Sequence, residues 1–460
     1  MKKNRRSYVR CFHLDLKGLP PTAKRLMKLL DLLHAAKYNA ILVEWEDMFP
    51  WTVDERFRCE TAYSIAEVKR FAAKAKRLGI ELIPLVQCLG HMEMVLRHKR
   101  YARMQEVAGQ NDAINPLAPG AADLIRDMVR DVLSVIPDVR YFHLGGDEAW
   151  TFGTHKDTRA YIKKHGASAL YIDCLKPLLS ELNGRGIRPI LWHDMMVDWD
   201  ANALRTLGTL ADLCVWGYSP YDRKKRPWLH PLVKGDTPNP WPIIAGGVGA
   251  VTERLIKHFQ ANGITLWGAS AFKSMEHRED ADERKENCLL WAQIAERYGM
   301  TGVVATGWSR NNSNELQRTP IDSNLDLLVY AGLVMAGHRK DAYKDAERVL
   351  KRAGEWKRFS DSSGATRRMD IMRIESWKKI QMLWEYAAEA KIDPARRENV
   401  VAVKNLGYLD SQIASMKQFA AMFTKASAGS MFPVWAKRYT DARILPVVEQ
   451  RMLLKKNHRA

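Results

Sequence analysis

Eight short apolar runs, each separated from the next by a longer stretch, govern what this chain can become. They read "YVRCFHLDL" (8–16), "NAILVEW" (39–45), "IELIPLVQ" (80–87), "VRYFHLGGDE" (139–148), "RPILWHD" (188–194), "DLCVWGY" (212–218), "GITLWGAS" (263–270) and "GVVATGW" (302–308). Runs this short, rich in Val, Ile and aromatic residues, are strands buried on both faces rather than helices. Helical periodicity falls between them at 22–36, 65–78, 120–135, 166–184, 251–261 and 283–298. Parallel strands need crossovers of that length, so the order predicts an α/β chain closed as a (β/α)8 barrel over residues 1–340. An open doubly wound sheet is the rival, but the first run ends "HLDLKGLPP" without a glycine-rich phosphate loop.

From residue 341 the strand signals stop. Residues 341–460 form a second, helical region, in which 365–391 and 398–423 carry apolar residues at three-four spacing. The 460 residues carry a formal charge of +19, and this last quarter holds 24 Lys and Arg against 14 Asp and Glu, a surplus of 10. Those charges are spread through helical patterns with no nucleic-acid motif, so a solvated basic face is the reading and nucleic acid is not an expected partner. Self-association stays open. The six cysteines, Cys11, Cys59, Cys88, Cys174, Cys214 and Cys288, are scattered without a C-x-x-C pair. No apolar stretch of signal-peptide or membrane-spanning length occurs, so a cytoplasmic location off the membrane is expected.

In barrels of this type the chemistry sits where the strands end at their carboxyl side. Five runs carry a tryptophan in the same relative place: Trp45, Trp192, Trp216, Trp267 and Trp308. One such residue reads as core, but five predict an aromatic-walled pocket, because flat rings stack on the apolar faces of sugars. The fourth run sets Asp147 beside Glu148. Alternation along a strand puts His143, Gly145 and Asp147 toward the axis, and a turn after Asp147 would then swing Glu148 over the mouth. Gly145 and Gly146 leave room for a ligand against the backbone.

At "HLGGDE" (143–148) the chain resembles glycoside hydrolase family 20, the β-N-acetylhexosaminidases, whose signature is H-x-G-G-D-E. "HLDLKG" (13–18), "VEWEDMFPW" (43–51), "PLVQCLGHMEMVLRH" (84–98), "ASAFK" (269–273) and "TGW" (306–308) look like its hexosaminidase D branch, so the resemblance covers roughly residues 7–340. It implies a retaining exo-acting enzyme whose nucleophile is the substrate's own 2-acetamido oxygen, one of the exceptions to the two-carboxylate scheme. Carried over, Asp147 would orient the acetamido N–H and Glu148 would act as general acid and then base. His91 would bind a sugar hydroxyl or support Glu148, and His143 would fix the strand end. Asp194 would bond a hydroxyl or orient Glu148, while Tyr218 is a candidate for the acetamido carbonyl. The arginine that larger members carry on strand one is missing; Asp15 or Lys17 would replace it. "WSRNN", with Arg310, stands where they carry an acidic residue.

Two other function classes compete, a non-catalytic glycan-binding protein and, behind it, a nucleic-acid-associated protein using the basic helical tail. A non-catalytic glycan-binding protein would keep the pocket, but the intact carboxylate pair argues for an enzyme. A metal site is disfavoured, because His13, His91, His143 and His193 lie on different strands without H-E-x-x-H spacing, and no cofactor is expected.

Overall fold

The computed structural model describes residues 8–218, 250–274, 281–310, 312–313, 315–392 and 401–457. Eight parallel strands close in sequence order: β1 Val9–Asp15, β2 Ala40–Glu44, β3 Glu81–Leu85, β4 Tyr141–His143, β5 Arg188–Trp192, β6 Asp212–Trp216, β7 Leu266–Lys273 and β8 Gly302–Gly307. β1 pairs with both β2 and β8, which seals the barrel. The α/β barrel expected from the run order is therefore present. Its crossover helices start at polar caps. Thr22 accepts from Arg25 N, and Ser64 and Glu67 form a reciprocal capping box.

Strand alternation divides the apolar residues into two layers. Cys11, Ala40, Leu42, Ile83, Leu85, Cys214 and Val304 fill the barrel interior, whereas Phe12, Leu14, Ile41 and Val43 face the surrounding helices. This parity also decides where the polar residues go. His13 and Asp15 follow Cys11 inward on β1, and Glu44 follows Leu42 inward on β2, so all three are buried at the mouth.

Beyond β8 the helix Leu325–Met335 still packs on the barrel, with every residue buried. The helices Trp356–Ile392, Val401–Ala426 and Pro433–Asn457 then make a separate apolar cluster around Met369, Leu383, Leu409, Met416 and Tyr439. Arg443, fully buried, joins this cluster to the barrel. Its guanidinium donates to Asp370 at 2.8 Å and to the Gln317 carbonyl at 2.8 Å. Among the described residues no helix is long and apolar enough to cross a membrane.

Candidate active site

The fourth strand is shorter than its apolar run. It ends at His143, and the next residues turn at once, with Gly145 at φ 60°, Gly146 at φ 79° and Glu148 at φ 46°. The expected strand through Asp147 is thus corrected: a left-handed glycine turn, not alternation, carries both carboxylates over the mouth. Only glycine fits. A Cβ on Gly145 would lie 1.7 Å from Gln87 Oε1, and one on Gly146 would lie 2.2 Å from Tyr171 Oη. Glu148 takes a left-handed φ without that freedom, a strain of about 1–3 kcal/mol that the surroundings must hold. Asp194 Oδ2 does so by accepting from Glu148 N at 2.9 Å.

His91, itself at φ 53°, sets its Nε2 at 3.5 Å from Asp147 Oδ2 and 3.4 Å from Glu148 Oε2. Burial disfavours its charge, but the two carboxylates outweigh burial and hold its pKa well above the usual histidine value. The His91 ring therefore bridges the two carboxyl groups and favours negative charge between them. Asp147 Oδ1 is buried and without a partner. Asp194 is pushed up to about 8 by burial and then by the Asp147 charge.

Of the five tryptophans, Trp216 and Trp308 are half-buried at the mouth, and Trp192, fully buried, packs against Trp308. Trp192 and Trp308 have ring centroids 6.0 Å apart, and Trp308 Nε1 donates to Tyr218 Oη at 3.0 Å. Tyr218 stacks on Trp216 at 5.4 Å, whose Nε1 donates to Asp194 at 3.2 Å. Trp45 and Trp267 do not join them. Trp45 is one residue out of phase: Glu44 takes the inward position, and Trp45 packs outward edge-on to Phe49 and Phe71. Trp267 faces inward but two residues below Ala269, the partner of Trp216, so it lies deep in the barrel with Nε1 on Asp212 and its ring on Tyr141. Both are corrected from pocket wall to core.

Asp15 is corrected as well. One oxygen accepts from Ser309 N and Arg310 N, and the other accepts from Lys17 N and pairs with Lys17 Nζ at 3.2 Å. It clasps the end of β8 to β1 and leaves nothing for a sugar. His143 is buried at the end of β4. Its Nδ1 accepts from Gly145 N, and burial drives its pKa down to about 3, so Nε2 carries the proton and points, unpartnered, at the axis side. Lys17 is locked between Asp15 and Glu44, at 2.6 Å from the latter, and lies over the Trp308 ring.

The sequence reading missed Gln87, Glu44, Glu46 and Glu93, all buried at the ends of β2 and β3 or just beyond. Counting parity back from Ala40 would have found Glu44. Among the described residues no group of three or more His, Cys, Asp or Glu could hold a metal ion.

The glycosyl hydrolase family 20 catalytic domain profile matches residues 9–217. The chain is 30% identical over 318 residues to hexosaminidase D of Bos taurus, covering 66% of this chain and 84% of that one. It is 29% identical over 317 residues to hexosaminidase D of Homo sapiens, covering 66% and 60%. Among solved structures, the chitobiase of Flavobacterium johnsoniae aligns with a TM-score of 0.55 at 13% identity over 97% of this chain and 72% of that one. A β-N-acetylhexosaminidase from Bacteroides fragilis aligns at 0.54 and 15% over 76% and 71%. At such identities the likeness speaks for the barrel alone.

Proposed function

The chain belongs to glycosyl hydrolase family 20 and is a glycoside hydrolase of the β-N-acetylhexosaminidase type, and from that premise we propose that it removes terminal β-linked GlcNAc or GalNAc with retention, the substrate's own acetamido oxygen serving as nucleophile. The observation that carries this reading is the Asp147–Glu148 pair bridged by His91 beside an aromatic wall. The free Asp147 Oδ1 accepts the acetamido N–H and steadies the positive charge that grows there as the oxazolinium ring closes. Glu148 delivers a proton to the leaving oxygen and then takes one from water. Trp216, Tyr218 and Trp308 receive the apolar face of the sugar, and the buried Trp192 backs Trp308. Six free cysteines suit a reducing compartment, and the cytoplasm is the location proposed.

The test uses aryl β-N-acetylglucosaminide and galactosaminide side by side, with N-acetyl and N-trifluoroacetyl forms of each. Fluorination weakens the carbonyl oxygen, so turnover should fall steeply. Rapid turnover of the fluorinated sugar, with a glycosyl ester trapped on an enzyme carboxylate, would overturn the mechanism.

A further inference from the structure

We propose that Glu46 determines which sugar enters the pocket, its carboxyl group binding a ring hydroxyl on the side of the sugar remote from the acetamido group. The inference rests on the function proposed above and assigns the part of that site facing β1–β3.

Three observations converge. Glu46 follows β2 directly and takes a left-handed φ of 48°, a conformation that glutamate adopts only when its surroundings enforce it. Here they do. Trp45 is wedged outward between Phe49 and Phe71, and the Glu46 carbonyl accepts from Trp51 Nε1 at 2.8 Å. The residue is only 7% exposed, yet among the described residues its carboxyl group has neither a hydrogen bond nor an ion pair. Its neighbour Glu44 shows the contrast, taking His13 Nε2 at 3.2 Å, Gln87 Nε2 at 3.1 Å and Lys17 Nζ at 2.6 Å. Lys17 is therefore already neutralised, and Glu46 is not needed for that purpose.

Other buried polar atoms nearby are also unpartnered: His13 Nδ1, Gln87 Oε1 and Glu93 Oε2. Gln87 Oε1 lies against Gly145, so this polar wall is continuous with the turn that bears Asp147. The charges acting on Glu46 are Lys17, Glu44, Glu93 and Asp15, and Glu93 in turn feels His91. Burial first, opposed by Lys17 and reinforced by Glu44, Glu93 and Asp15, holds the Glu46 carboxyl well above the usual carboxylate range, which gives it both a donor and an acceptor for a hydroxyl.

The orientation proposed for the sugar completes the argument. With its anomeric carbon at Glu148 and its acetamido group at Asp147, both on the β4 turn, the remaining hydroxyls project away from β4. The tryptophans of β5, β6 and β8 offer few polar partners to them. Buried polar groups left unpaired by the protein are the ones that reject a substrate lacking the matching hydroxyl.

The experiment compares the wild type with Glu46→Ala and Glu46→Gln on aryl N-acetylglucosaminide and on its 3-deoxy, 4-deoxy and 6-deoxy analogues. On the parent sugar Glu46→Ala should lose about 10–100-fold in kcat/KM, mostly through KM, and Glu46→Gln should recover part of it. On the one deoxy sugar that lacks the bound hydroxyl the Ala loss should shrink to a few-fold. Equal losses on all four sugars would mean that Glu46 only supports the fold, and no loss on the parent would remove it from the pocket. Binding of free GlcNAc and the same deoxy sugars, followed by calorimetry, separates this from the catalytic reading. If the wild type binds but turns nothing over, the function fails while the binding pattern still judges Glu46; if it binds none of them, both fail.

Discussion

The two sides of the barrel mouth are built from opposite chemistry. At the ends of β5, β6 and β8 stand Trp192, Trp216, Tyr218 and Trp308, uncharged rings in mutual contact, Trp216 stacked on Tyr218 and the others tilted. On β1, β2 and β3 stand His13, Asp15, Lys17, Glu44, Glu46 and Gln87, buried to 7% exposure or less, with Glu93 just beyond. The charged side holds more carboxyl groups than cations, whereas His143, lying against Trp192, is kept neutral. A pyranose has the same division, with an apolar face of C–H bonds and an edge of hydroxyls. The catalytic turn of β4 lies between the two sides and draws on both: Asp194 reaches it from the aromatic side and Gln87 packs under it from the charged side.

If that division is right, the largest effects belong to the turn itself. Glu148→Gln should lower kcat by about 10²–10⁴ on substrates with poor leaving groups and far less on nitrophenyl glycosides, since a stable phenolate needs little protonation. Equal losses along a leaving-group series would remove Glu148 as the acid. Asp147→Asn should cost about 10²–10³ in kcat with little change in KM, because its carboxylate acts on charge that exists only as the ring closes. A thiazoline mimic of the cyclised intermediate should inhibit the wild type strongly and this variant weakly. Comparable inhibition of the two would show that Asp147 does not act on that charge.

A smaller effect distinguishes wall from core. Trp308→Ala should raise KM by about tenfold, because it removes a half-buried ring that contacts Tyr218 and is proposed to receive the sugar. Trp267→Phe should leave KM and kcat near wild type while lowering the melting temperature, since it strips only the bond to Asp212 deep in the barrel. A KM change in the second variant as large as in the first would erase the difference between them.

That pair also shows what could be read from the sequence. The eight strands, their order and the Asp147–Glu148 pair were legible because period-two and helical patterns repeat along the chain and the H-x-G-G-D-E spacing is local. Trp45 and Trp267 were misplaced because position within a run does not fix depth in a sheared barrel; only strand-to-strand register does, as in Trp216 against Ala269. Gln87 and Glu46 escaped notice for a related reason. Their burial depends on loops after β2 and β3 folding against a turn that is remote in sequence, and no local pattern records that. Asp15 looked like a sugar ligand because the groups that take up its second oxygen, Ser309 N and Arg310 N, lie almost the full barrel away in sequence.

The smallest expected effect concerns Asp194, a buried carboxyl group on the aromatic side. Its oxygens accept from Glu148 N and Trp216 Nε1, and burial with the nearby Asp147 charge pushes its pKa up to about 8. In the unfolded chain it would titrate near 4. Between those values the folded protein holds a proton that the unfolded chain has released, so the Asp194 contribution to stability is fully present below about pH 4 and is lost as pH rises to about 8. Asp194→Asn removes that titration and, at every pH, replaces one acceptor by an amide donor facing either Glu148 N or Trp216 Nε1. Thermal melts of the two proteins from pH 5 to pH 9 should therefore converge. The wild type should lead by most at pH 5 and lose about 2–4 °C or more of that lead by pH 9. His91, whose raised pKa gives the same sign of slope above its unfolded value, is common to both proteins and cancels in the difference. Parallel curves would mean that Asp194 is ionised throughout and that the aromatic side of the mouth carries a negative charge after all.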